Sequence, residues 1–243
     1  MADKKNEVDK VQELFNLGAH LGHKKNRLHP KARKYLYKIM DSISIIDLTI
    51  TVSQLEKAKQ TLSQLAAEGK LLLVVATKKV ANQFTAKLCE ESHIPSVTTK
   101  WLPGLLTNFN TLIKNEKKLS QMKLQRDNGE WDKFVKHERL KMSKEVSKLE
   151  KFYGGLMGMI RKPDALLVLD IKKEKNSVNE AKKNNIPVIA FTDTNSNPDE
   201  VKWPIVVNDD APVVVEYVMK ELIEAYTKGR PSETKQEEAK KII

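Results

Sequence analysis

Leu71–Ala76 reads LLLVVA, six apolar residues in succession. The run is far too short to cross a bilayer. Its length and valine content fit a strand buried on both faces, as in parallel sheets. The neighbouring stretches repeat the theme. Ile43–Asp47 (ISIID) reads as a first buried strand, and TVSQLEKAKQTLSQLAAEG after it as a helix, with Val52, Leu55, Leu62, Leu65 and Ala66 at helical spacing and Gly69 as its stop. Lys78–Glu91 reads as a helix and Pro95–Val97 as a third strand. ALLVLD (Ala165–Asp170) and PVIAF (Pro187–Phe191) give strands four and five, with helix Ser177–Asn184 between them. WPIVV supplies a short last strand, and VVVEYVMKELIEAYTKG a closing helix ended by Gly229 and Pro231. Strands alternating with helices predict βαβ units, a parallel sheet and the α/β class.

The chain has 243 residues, 31% of them charged, with a net charge of +11 and a pI near 9.5. Such a field attracts nucleic acid, an anionic membrane surface or an acidic protein, and says nothing of fold. The single Cys89 excludes an intramolecular disulfide and a multi-cysteine zinc site, and suits a reducing compartment. MADKKNEVDK has no apolar h-region, so secretion is not expected. The expectation is a soluble cytoplasmic protein.

Much of the charge is concentrated at one place. HLGHKKNRLHPKARKYLYK (His20–Lys38) carries seven Lys/Arg, three His and two Tyr, and no acid. Those charges cannot enter a core without losing hydration. The segment must therefore lie in solvent or against a polyanion, as a basic arm docked on the α/β body.

Residues 105–160 break the βαβ rhythm, being long, polar and without a strand candidate. Met142, Val146, Leu149, Tyr153 and Leu156 form a narrow stripe of coiled-coil type, with Leu112, Leu119 and Met122 as the partner stripe before an Asp127-Asn128-Gly129 turn. Two antiparallel helices of about 15–20 residues would project about 25–30 Å. Thr111–Lys151 holds twelve Lys/Arg against seven Asp/Glu. A thin, basic hairpin buries little, so reaching a partner explains it better than stability does.

Enzyme signatures are sparse. Neither GxxxxGK[ST] nor GxGxxG occurs. Ala76-Thr77-Lys78-Lys79 could hold one phosphate at a helix N-terminus, but no glycine allows close approach of a nucleotide. Asp47, Asp170 and Asp193 end strands one, four and five, where open α/β sheets place their sites, and Asp209 and Asp210 could join them. The group could hold Mg²⁺ for phosphoryl transfer, or the acids could cap helices and shape turns. Without a nucleophile, base or anion clamp, the second reading is preferred. A structural divalent ion on Asp193 with Asp209 or Asp210 stays open. His20, His23 and His29 lack nearby cysteines or acids in sequence, so contact with nucleic acid or packing at the sheet edge suits them better than a metal. Trp101 in KWLPGLLTNFN is either a stacking platform for a base or a core plug.

GAHLGHKKNRLHPKARKYLY, IIDL, WLPGLLTN, PDALLVLD…E…NEA…NIPVIAF and DTNSNPD occur in this order. In that order the chain resembles the family of the second protein of the small ribosomal subunit, from about residue 8 to 230, with the helical insertion of the bacterial and organellar type. The resemblance implies a three-layer, flavodoxin-like domain with a five-stranded parallel sheet of order 2-1-3-4-5 and a coiled-coil hairpin. The domain would comprise residues 1–104 and 161–230, the hairpin 105–160, with a flexible tail at 231–243. It implies a non-enzymatic constituent of the small subunit that binds its ribosomal RNA, with neighbouring ribosomal proteins as partners, among them the large OB-fold protein that captures messenger RNA. No cofactor, membrane or small-molecule substrate is implied. Carried over by position, the RNA-facing residues are His20, His23, Lys24, Lys25, Arg27, Lys31, Arg33 and Lys34 in the arm. Trp101, Thr107 and Asn108 at the hairpin root and Lys114, Lys118 and Lys141 along it complete the set. Pro103 stands where the family usually has Gly, which removes one N–H from that loop.

Overall fold

The computed structural model describes residues 2–231, with side chains from Val8 onward. The chain begins with helix α1 (Ala2–Asn16) and then forms strands β1 (Leu21–Lys24), β2 (Leu36–Met40) and β3 (Ile43–Ile46). Helix α2 (Leu48–Ala67), strand β4 (Leu72–Val75), helix α3 (Asn82–Glu91) and strand β5 (Ser96–Val97) follow. Helices α4 (Phe109–Asp127) and α5 (Lys136–Tyr153) precede strand β6 (Ala165–Val168). The chain closes with α6 (Lys175–Lys183), β7 (Val188–Thr192), β8 (Trp203–Val206) and α7 (Pro212–Gly229). The expected flexible tail lies outside the described residues, apart from Pro231.

LLLVVA sits where its composition puts it, in a five-stranded sheet of order β5-β4-β6-β7-β8 with every pairing parallel. Numbered along the chain, these five strands run 2-1-3-4-5, the flavodoxin-like order. Alternate residues of each strand enter opposite layers. Leu72, Val74, Leu167 and Phe191 pack toward α1, α2, α3 and α7. Leu73, Val75, Leu166 and Val168 pack toward α6 and the roots of α4 and α5. All but Leu72, at 1%, have no exposed surface. Complete burial of each such side chain is worth about 1.5–3 kcal/mol.

ISIID is not part of this sheet, contrary to the expectation from sequence. It is the middle strand of a separate antiparallel sheet, β1-β3-β2, and WPIV takes the fifth place in the parallel one. The local cause is the turn before it. Asp41 and Ser42 both adopt positive φ, 48° and 64°, the backbone of a tight two-residue hairpin. The burial alternation of β3 also marks a strand with one dry face, whereas β4 and β6 are dry throughout.

Helix α1 was hidden in the sequence by its charge. It is held by Leu14, buried against the α2–α7 layer, by the Lys10–Glu56 ion pair, and by Tyr217, whose hydroxyl donates to Glu13 at 2.8 Å. α4 and α5 lie antiparallel: Asn115, near the start of α4, donates to the hydroxyl of Tyr153, the last residue of α5, and Lys118–Glu145 and Lys123–Glu150 bridge the pair farther along. On α4 the expected Leu119 and Met122 are buried, while Ile113 takes the first place of the stripe from Leu112, which is only half-buried.

Cys89 on α3 is fully buried, and burial pushes its thiol up to about 12. The native protein at pH 8 is expected to resist a thiol-directed reagent for hours and to react fully once unfolded by guanidinium. Rapid stoichiometric labelling of the folded chain would contradict the packing of α3.

Candidate nucleic-acid interface

The basic segment is a folded platform, not a loose arm. Gly22 lets β1 approach the 193–197 loop after β7: a Cβ there would lie 2.5 Å from Thr194 Cγ2 and 3.0 Å from the Ser44 carbonyl oxygen. Backbone bonds complete the dock. His23 N donates to Thr194 Oγ1, and His29 N to the Thr194 carbonyl, both at 2.8 Å. The motifs GAHLGHKK and DTNSNPD are thus two halves of one joint.

His23 supplies the side-chain half of that joint. Its Nδ1 donates to Asp193 Oδ2 at 2.8 Å, while Nε2 faces the Asn195 amide at 2.8 Å and Asp210 Oδ2 at 3.5 Å. Hydrogen bonding from Asp193 raises the His23 pKa against the opposing effect of burial, helped by the charges of Asp193, Asp210 and Asp209. When Nε2 is protonated, the Asn195 amide must turn Oδ1 toward it; that oxygen is buried with no hydrogen-bond partner among the described residues. His20 stacks on Phe15 with ring centroids 4.2 Å apart, and burial lowers its pKa. Both histidines expected to face RNA are therefore spent on the fold. His29 Nδ1 accepts from Lys31 N at 3.2 Å and caps a short turn.

What the platform shows to solvent is cationic. Lys24, Lys25, Arg27, Lys31, Arg33 and Lys34 are all exposed. Asp199 partly answers two of them, Lys34 at 2.7 Å and Lys31 at 3.5 Å. Of the six, Lys24, Lys25, Arg27 and Arg33 have no carboxylate within ion-pair distance among the described residues.

The strand-end acids do not form a catalytic group. Asp47 caps α2, accepting from Thr49 N at 2.9 Å. Asp170 has a φ of 63° and accepts from Lys172 N and Lys173 N. Lys78 stands among Asp170, Asp209 and Asp210, at 3.7, 2.6 and 2.6 Å. Burial lowers the Lys78 pKa, but these carboxylates more than offset it, and the net direction is upward. Burial, then Asp170 and Asp193, push Asp209 up to about 7 against the pull of Lys78. The crevice between β4 and β6, where such sheets bind ligands, is filled: Glu174 accepts from Thr77 and Lys173 donates to the Thr77 carbonyl. Among the described residues, the one trio with ligand atoms within 4.8 Å of one another is His23, Asp193 and Asp210. Asp209, expected as a candidate ligand, is turned to Lys78 instead.

At the hairpin root Trp101 is 5% exposed and packs with Leu105, Leu106 and Phe109. It is a core residue, and its ring has no face to offer a base. Its Nε1 donates to Glu180 at 3.0 Å, as do Gly104 N at 2.8 Å and Leu106 N at 3.0 Å. Thr107 approaches the same carboxylate, while Asn108 is exposed at the start of α4 and makes no side-chain cap bond. Lys114, Lys118 and Lys141 are exposed along the helical pair, Lys118 bridging to Glu145. The sequence held Glu180, Thr194 and Asn195 inside quoted motifs but gave no sign of their partners, which lie 73–79 residues away for Glu180 and 171–172 residues away for the other two.

Two measurements follow. His23 has a folded-state pKa above its ordinary 6.5. Its pairing therefore contributes fully below about pH 6.5 and is lost as pH rises through the higher folded-state value. His23→Gln is expected to flatten the decline in Tm between pH 6.5 and 8; an unchanged slope would exclude the pair as its source. Lys78→Met leaves three carboxylates facing one another and is expected to cost about 3–5 kcal/mol in denaturant unfolding, a result overturned by a loss under 1 kcal/mol.

The chain is similar to known proteins over most of its length. The family model described as ribosomal protein S2 matches residues 14–229. A protein of Amoebophilus asiaticus named small ribosomal subunit protein uS2 is 39% identical over 218 residues, 90% of this chain and 70% of its own length. Proteins of the same name in Helicobacter acinonychis and Helicobacter pylori are 37% identical over 220 residues, 90% of this chain and 89% and 83% of theirs. The match takes in the platform, the parallel sheet and the helical pair, so the chain belongs to the ribosomal protein S2 family.

Proposed function

We infer that the chain is a structural constituent of the small ribosomal subunit, binding small-subunit ribosomal RNA through its basic platform. One observation carries the reading: six exposed cations, Lys24, Lys25, Arg27, Lys31, Arg33 and Lys34, sit on a base whose own histidines and glycine are consumed in docking it to the α/β body. Fixed cations contact phosphates without losing much conformational freedom, which gives positioning by shape and charge with little base selectivity. Lys114, Lys118 and Lys141 extend the contact along α4 and α5. Neighbouring small-subunit proteins, including the OB-fold protein that captures messenger RNA, complete the partners in this proposal, and the cytoplasmic ribosome is its location. No helix among the described residues is long and apolar enough to cross a membrane. A structural divalent ion enters the proposal only at His23, Asp193 and Asp210, the three groups near enough to share one.

The reading fixes a salt dependence. Neutralising on the order of five phosphates gives a slope of log affinity against log salt of roughly −3 to −5. The Lys24/Lys25/Arg27/Arg33→Ala variant is expected to reduce that slope by about 3 while leaving Tm within a few degrees of the parent. A flat salt response, or one unchanged in the variant, would remove the platform from RNA binding.

A further inference from the structure

Glu180 receives an unusual set of donors. It lies on α6, which Val178 and Ala181 anchor to the sheet layer at 1% and 0% exposure. Its Oε1 accepts from Trp101 Nε1 at 3.0 Å and Gly104 N at 2.8 Å. Oε2 accepts from Leu106 N at 3.0 Å, with Thr107 N and Oγ1 at 3.4 and 3.5 Å. Burial would raise the Glu180 pKa, but these donors draw it below its usual value, so the group is a carboxylate at neutral pH. The N–H groups of Gly104, Leu106 and Thr107 are thereby claimed by the protein's own anion and are not left for a phosphate. Pro103, which has no N–H, interrupts no part of the set.

The loop so held, Trp101–Thr107, runs directly into α4. A helix of 19 residues is about 28 Å long at 1.5 Å per residue. A tilt of about 10° at its root would move the far end by about 5 Å, more than an ion pair to phosphate tolerates. Apolar packing around Phe109 and Leu156 is non-directional and admits such tilts. A carboxylate accepting from several fixed N–H groups does not. The chain leaving α5 also lies close against β5, where a Cβ on Gly155 would stand 2.2 Å from the Ser96 carbonyl oxygen.

We propose that Glu180 is the positioning residue that sets the direction of the α4–α5 pair, and so the alignment of Lys114, Lys118 and Lys141 on ribosomal RNA. The proposal rests on the RNA-binding reading above. Glutamine in its place turns one acceptor oxygen into an NH₂ donor aimed at other donors, and so releases half of the set without emptying the space.

The test is a double-mutant cycle in the full chain, titrated with protein-free small-subunit ribosomal RNA. Glu180→Gln is expected to weaken binding roughly fivefold to tenfold in the parent. In a Lys114/Lys118/Lys141→Ala background it should change affinity less than about twofold. Probes at positions 133 and 183 should report a broader distance distribution in E180Q than in the parent. Trp101→Phe, which deletes one donor and keeps a ring in the core, serves where E180Q fails to fold, with a smaller loss of the same pattern. An equal loss in both backgrounds, no loss in the parent, or an unchanged distance distribution overturns the proposal. Absence of RNA binding by the unmutated chain overturns the functional reading itself, and is seen before any variant is compared.

Discussion

The contact of His23 with Asp193 is where two distant parts of the chain become one surface. It joins a strand made of basic sequence to the loop after β7, across 170 residues, and it does so at 14% and 1% side-chain exposure. A pair so placed must satisfy all its hydrogen bonds or cost stability. Asp193 meets that condition through His23 and Thr194. His23 meets it through Asp193 and Asn195. Around this joint the close approach at Gly22 and the Thr194 bonds keep the antiparallel sheet against the end of the parallel one.

From that joint the division of labour among the basic residues follows. The histidines and glycine of the segment face inward and hold it; the lysines and arginines face outward and carry charge. A free arm of the same composition would bind polyanions too, but would lose conformational freedom on every contact. The strand-end acids have the complementary task. They neutralise Lys78 and His23 and shape turns, which leaves the crevice of an α/β fold, so often a ligand site, packed with the chain's own side chains. The family membership, with its structural ribosomal role, agrees with a site built to be closed.

Much of this was legible in the sequence. The dry strands β4, β6 and β7 and the excursion at 105–160 follow from particular runs, LLLVVA and ALLVLD above all, while the layering of helices on the sheet was what the family resemblance implied. ISIID misled because an apolar run of four or five residues does not say which sheet it joins; the deciding feature was the pair of positive-φ residues at Asp41 and Ser42, neither of them glycine. Helix α1 was missed because its charged stretch is stabilised by a few tertiary contacts, Leu14 first among them, and not by a continuous apolar stripe. The cation set is exposed as expected, while for His20, His23 and Trp101 the packing alternative, which the sequence left open beside RNA contact, is the one the structure shows, for one reason. Each is a residue type that serves RNA or packing equally well, and its choice is made by partners such as Phe15, Asp193 and Glu180 that no local pattern reveals.

The central claim is that the platform is rigid before RNA arrives. Amide hydrogen exchange of the RNA-free protein measures this directly at His23, Lys25, His29 and Ile46, whose N–H groups donate to Thr194 Oγ1, Ser42, Thr194 and His20. Protection of these four amides comparable to that of the parallel strands is expected. Exchange at the rate of an unstructured peptide, appearing as protection only when RNA is added, would contradict the account.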